Sequence, residues 1–194
     1  MRTEMITAGV LAVLFVFVAC HEQDHEHVSM PGGEISPGSI YDLDLMFTNR
    51  RAESVPLNQL AGGPLIFSMI YTRCTSVCPT QAGNMLRIQN ALAPEDREKV
   101  RFVLMSFDPD DSSADLAEFG SKLGLKENWR LLGGDPDMVR QLAAALGFQY
   151  RKNPGGEWSH SAAIYLFDAK GAVRYRSEGL QGKPDEFAKH LKHL

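Results

Sequence analysis

The sequence predicts an α/β fold, a mixed sheet flanked by helices on both faces. Three observations carry that prediction. Short apolar runs alternate with helical patterns from Pro64 to Gly147. A β-hairpin and an amphipathic helix then close the chain. Between the first core run and its helix stand two cysteines, Cys74 and Cys78.

The elements follow in order. Residues 40–47 partly alternate apolar and polar side chains, as an edge or hairpin strand does. A polar turn and the extended Ser54-Val55-Pro56 complete an N-terminal β-hairpin extension, and residues 57–60 form one helical turn. The run 64–71 is apolar and bounded by Gly62-Gly63, which is how a buried parallel strand reads. Met85, Leu86, Ile88 and Leu92 recur at helical spacing over 81–93, and Pro94 ends that helix. Thr75 or Ser76 is its expected cap, with Pro79 tolerated in the first turn. Residues 100–107 form a second buried strand. A capping box, Ser112 to Asp115, opens a helix to about 123. Residues 129–132 are a short strand. Asp135-Pro136 opens a helix that ends at Gly147, and 148–150 are extended. Strands at 162–167 and 173–176 flank the turn Asp168 to Gly171, and a last helix covers 185–194. A cysteine pair after the first core strand, with a terminal β-β-α unit, makes this a thioredoxin-like arrangement.

The pair itself is placed for chemistry. Cys78 falls in the first helical turn and Cys74 just before it. The positive helix end favours thiolate at both, and the spacing allows the two sulfurs to bridge or chelate. Buried cysteines that merely pack are the plainer alternative.

The 194 residues and 44% hydrophobic content suffice for one core, and a net charge of −4 without a basic block argues against nucleic acid. The chain has three cysteines, too few for a disulfide scaffold. Cys20 ends an apolar run behind Arg2, so residues 1–19 read as a lipoprotein-type signal peptide and Cys20 as the lipidated residue; an uncleaved anchor is the alternative. Either places the folded part outside the cytoplasm, periplasmic or otherwise extracytoplasmic, held at the membrane. Residues 20–38 form a flexible tether, in which His21, His25 and His27 offer weak metal binding or simply a solvated spacer, and 39–194 form the domain.

His160 alone among the six histidines lies at the entrance to a buried strand. In a thioredoxin-like fold that entrance faces the cysteine site, so His160 can reach Cys74 and Cys78. Two thiolates and one imidazole suit Cu(I), and also Cu(II), better than a four-ligand zinc site or a hard cation.

The chain resembles the SCO/SenC family of thioredoxin-like copper-binding proteins. The resemblance rests on Tyr71-Thr72-Arg73-Cys74-Thr75-Ser76-Val77-Cys78-Pro79, on Ser106-Phe107-Asp108-Pro109 and on the run from His160 to Asp168. It implies that Cys74, Cys78 and His160 bind copper. It further implies that the partner is the copper-bearing subunit of cytochrome c oxidase or another copper chaperone. Asp108 either influences that site or a partner surface, or only starts a turn before a helix. Arg73 to Ser76 depart from the family, where Pro or Asp is common within the motif. A second function uses Cys74 and Cys78 as the catalytic pair of a thiol–disulfide oxidoreductase that reduces a client's copper-ligand cysteines. A peroxidase ranks third, because Tyr71 stands where peroxiredoxins carry Thr or Ser.

Overall fold

The computed structural model describes residues 38–194. The expected signal peptide, the expected lipidation site Cys20 and nearly all of the expected tether lie outside the described residues. Among the described residues no helix is long and apolar enough to cross a membrane.

The strands are β1 (Met46–Asn49), β2 (Ser54–Pro56), β3 (Leu65–Ile70), β4 (Arg101–Ser106), β5 (Trp129–Gly133), β6 (Tyr150–Lys152), β7 (Trp158–His160), β8 (Ala163–Phe167) and β9 (Val173–Glu178). The helices are α1 (Val77–Ala91), α2 (Pro94–Lys99), α3 (Ser113–Lys122), α4 (Pro136–Ala145) and α5 (Pro184–Leu191). Seven strands form one mixed sheet in the order β2-β1-β5-β4-β3-β8-β9. β3, β4 and β5 are parallel, and β8 pairs antiparallel with β3. This is the thioredoxin-like mixed sheet flanked by helices, with the N-terminal hairpin β1–β2 added beside β5. Every residue of β3 and β8 is buried, which is why both read as apolar runs; Ser68, the one polar residue of β3, donates its hydroxyl to the Ala163 carbonyl of β8 at 2.8 Å.

Three expectations are corrected. Residues 40–47 are not one strand: Ile40–Asp42 is a 3-10 turn whose Ile40 N–H donates to the Gly171 carbonyl, and the strand starts at Met46. Pro94 does not only end a helix. It opens α2, with Glu95 and Asp96 in the first turn and Arg97 and Lys99 in the last, so proline at the first position and charge along the dipole favour a new helix. Finally, no Thr75 or Ser76 side chain caps α1, although Ser76 holds the cap position.

The expected capping box is present. Ser112 Oγ accepts from the Asp115 N–H, and Asp115 Oδ2 accepts from the Ser112 N–H. The turn from Asp168 to Gly171 joins β8 to β9, with Gly171 at φ +84° and packed against Tyr41. β3 and β4 thus carry their following loops, Tyr71–Ser76 and Phe107–Ser112, to one end of the sheet. The β8–β9 turn lies at the other.

Candidate metal centre

β3 ends at Ile70 and delivers Tyr71, then the chain turns through Cys74 into α1. The Cys74 N–H donates to the Tyr71 carbonyl at 3.3 Å. The cap that Ser76 fails to provide comes from Cys74, whose Sγ accepts from the Cys78 N–H at 3.2 Å. Cys78 Sγ in turn accepts from the Tyr71 N–H at 3.4 Å. Both cysteines are free thiols and buried.

His160 arrives on a separate two-stranded sheet, β6 paired with β7, in which Tyr150 faces His160. Residue 160 is therefore a strand residue of this hairpin, whereas the sequence suggested only a loop leading into β8. His160 Nδ1 lies 2.8 Å from the Ser161 carbonyl, which can only accept, so Nδ1 carries the proton. That leaves the Nε2 lone pair facing Cys78 Sγ at 3.8 Å. The two sulfurs and one imidazole nitrogen all lie within 4.8 Å of one another. The structure brings together the three residues named from sequence. Asp108 is not in this cluster.

Electrostatics separate the two thiols, contrary to the expectation that the helix end would favour thiolate at both. The Cys74 thiol is held well below the usual range, first by a hydrogen bond from Cys78 and then by the backbone N–H groups of Cys78 and Ser76. Cys78 is pushed up by burial and by the charge and hydrogen bond of Cys74. The pair thus keeps one proton on the deeper sulfur and presents a thiolate at Cys74. Tyr71 is raised in the same field, by burial and by the Cys74 sulfur it hydrogen-bonds.

An aromatic wall encloses the imidazole. Phe107 lies 5.1 Å from the His160 ring, Tyr71 5.8 Å and Phe148 6.1 Å, centroid to centroid. This wall excludes water and strengthens the local electrostatics.

Sequence reasoning missed what joins the cysteine segment to the histidine hairpin. Asp108, its side chain 1% exposed, accepts from Arg73 at 2.5 Å and from the Trp158 indole N–H at 3.0 Å. Nearby, Asp111 accepts from the Thr72 N–H and hydroxyl at 2.7 Å each and from Ser106 Oγ at 2.5 Å. So Asp108 neither ligates nor merely starts a turn: it ties the cysteine segment, the β4 loop and β7 together. The signal available in sequence was an acid beside a proline directly after a buried strand.

Comparisons with known proteins agree with this architecture. A SCO1/SenC family lipoprotein from Bacillus anthracis aligns with a TM-score of 0.70 at 27% identity, over 77% of this chain and 92% of that one. Bradyrhizobium japonicum ScoI with copper bound aligns with a TM-score of 0.66 at 26% identity, over 82% and 99%. BsSco is a member of the Sco family of cytochrome c oxidase assembly proteins in which a disulfide switch was identified. It aligns with a TM-score of 0.66 at 24% identity, over 84% and 96%, and supports the fold. A sequence comparison with curated proteins returns no match. The SCO1/SenC family profile matches residues 36–194, which is most of the sequence, and the chain belongs to that family.

Proposed function

We propose that the protein is a copper-binding metallochaperone. Cys74 and Cys78 sulfurs and His160 Nε2 hold the metal, and the cargo goes to the copper centre of a respiratory cytochrome c oxidase. The observation that carries this reading is the S, S, N donor set within 4.8 Å. Thiolates are soft donors that select Cu(I), and an imidazole admits Cu(II) as well. The donors fit: Cys74 is disposed to ionise, the Nε2 lone pair points inward, and the Ser161 carbonyl fixes the ring. Bradyrhizobium japonicum ScoI, similar to this chain and solved with copper bound, supports copper as the metal.

Residues 1–19 are proposed as a lipoprotein-type signal and Cys20 as the lipid-bearing residue, which would hold the domain on the extracytoplasmic membrane face. The Bacillus anthracis relative, described as a lipoprotein, supports this. Residues 20–38 would be the tether.

The test is a Cu(I) titration of the reduced protein against a chromogenic chelator. One copper per chain is expected, with loss of tight binding in His160→Ala. Binding no better than in a Cys74→Ser/Cys78→Ser control would refute the reading.

One observation favours a second reading, thiol–disulfide exchange with a client. A thiolate at Cys74 beside a protonated Cys78 is the asymmetry of an attacking and a resolving thiol. Forming the Cys74–Cys78 disulfide passes two electrons and the Cys78 proton to the client disulfide, which is released as one thiol and one thiolate, and removes both sulfur donors. Copper binding and the oxidised pair therefore exclude one another. Exchange that survives His160→Ala unchanged would support this second role.

A further inference from the structure

Tyr71, the residue that follows β3, touches all three donor residues of the metal centre. Its N–H donates to Cys78 Sγ at 3.4 Å, and its carbonyl accepts from the Cys74 N–H at 3.3 Å. Its ring stands edge-on to the His160 imidazole, 5.8 Å away at 86°. Its hydroxyl bonds the Cys74 sulfur. The whole residue is buried.

The hydroxyl is the part that packing leaves unexplained. Phe107 and Phe148 line the same wall around the imidazole with no polar atom. A buried hydroxyl costs free energy unless it is paired, so a phenylalanine would serve a purely enclosing role better. The ring is also held in place. Phe107 lies 5.5 Å from it, the imidazole covers its edge, and both backbone groups of Tyr71 are engaged. The direction of the hydroxyl bond follows from coordination chemistry. A metal-bound cysteine sulfur carries no proton, so it accepts and the phenol donates. That bond withdraws electron density from the sulfur. The Cys78 N–H, which donates to the same sulfur at 3.2 Å, acts in the same sense from the backbone.

We infer that Tyr71 is a positioning residue whose hydroxyl, hydrogen-bonded to the Cys74 sulfur, weakens that sulfur as a donor and biases the site toward Cu(I) over Cu(II). The higher oxidation state depends more on thiolate donation, so withdrawing density from the sulfur raises the reduction potential. Hydrogen bonding at a cysteine sulfur is an established lever on the potential of copper and iron–sulfur centres. The edge-on contact with His160 lets the same side chain hold the third donor in line while it acts on the first. This preference rests on the reading of Cys74, Cys78 and His160 as copper ligands. It adds which oxidation state they favour and the atom through which they do so.

The test compares the wild-type chain with Tyr71→Phe, which keeps the ring and deletes only the hydroxyl. Each is reduced, kept free of oxygen and loaded with one equivalent of copper. In the Cu(II) form, the sulfur-to-copper charge-transfer band should move to longer wavelength in Tyr71→Phe, because the sulfur regains density. The ratio of Cu(I) to Cu(II) affinity, from chelator competition in each state, should fall about tenfold, equal to about 59 mV for a one-electron couple. Tyr165→Phe deletes another buried hydroxyl, which donates to the Leu146 carbonyl, and should change neither readout. An unmoved band with an unchanged affinity ratio in Tyr71→Phe would overturn the proposal, because ring packing would then be all that Tyr71 supplies. So would an equal change in Tyr165→Phe, which would assign the effect to general loosening. A measurement on the wild type alone guards against a poorly folded variant. Its copper–sulfur stretching frequency should shift promptly on transfer from light to heavy water, as hydroxyls exchange before hydrogen-bonded amides do, and no prompt shift would overturn the proposal. Failure of the wild type to bind copper would sink the copper reading and this preference together. Full binding with no effect of Tyr71→Phe would sink the preference alone.

Discussion

Removing the Asp108 carboxylate tests whether the metal centre depends on a link outside its donors. In Asp108→Ala the Trp158 indole N–H, 3.0 Å from Oδ2, loses its acceptor in a buried setting. A hydrogen bond to a buried charge contributes about 1.5–3 kcal/mol. The Arg73 pair adds little, about 0–1 kcal/mol, because the arginine side chain is 53% exposed. The Asp110 N–H, which donates to Oδ1 at 3.1 Å, adds roughly 1 kcal/mol. Urea unfolding of the reduced protein should therefore show a loss of about 3 kcal/mol. Trp158→Phe removes the donor from the other side, so a double-mutant cycle should give a coupling of about 1.5–3 kcal/mol. Trp158 is two residues from His160 on β7, and loosening it should lower Cu(I) affinity about 10–100-fold, as loss of an outer partner does. Coupling below about 0.5 kcal/mol, or unchanged copper affinity, would refute the reasoning.

Other consequences are open to measurement. Alkylation should follow the thiolate: because Cys74 ionises well below the usual thiol range, its iodoacetamide rate should fall less than tenfold from pH 8 to pH 5, where an ordinary thiol slows on the order of 10³-fold. Peptide mapping checks this, and a tenfold loss per pH unit would contradict it. Cys78, raised by burial, should remain unmodified throughout that range. Gly171→Ala should destabilise by roughly 2 kcal/mol in urea, because φ is +84° and a Cβ would stand 2.6 Å from the Tyr41 ring. Ser112→Ala breaks the capping box of α3 and should lower stability by about 1 kcal/mol with copper affinity unchanged.

What could be read in the sequence follows from how far each signal reaches along the chain. β3 and β8 are buried on both sides, so each is an apolar run, with Ser68 the one polar residue of β3. The capping box of α3 lies within four residues and was equally plain. Cys74 and Cys78 announced themselves by spacing, and His160 by its place before β8. The β6–β7 hairpin was not visible because its strands are three residues each and β6 is largely exposed. The Asp108 link was hidden because its partners lie 35 and 50 residues away. The unequal thiols were missed for another reason. A helix end acts on both sulfurs, but burial acts mainly on Cys78, and only packing reveals which is deeper.

The sulfur of Cys74 that caps α1 also makes the helix a reporter of the site's redox state. As a thiolate it is a charged acceptor for the Cys78 amide. Once joined to Cys78 as a disulfide it carries no charge and accepts poorly, so the first turn of α1 loses its anchor. Amide hydrogen exchange at Cys78 should then quicken on oxidation, while the middle of α1, held by Met85 and Ile88 in the core, exchanges as before. A partner that senses the ordering of that first turn can distinguish the reduced chain from the oxidised one without touching either sulfur.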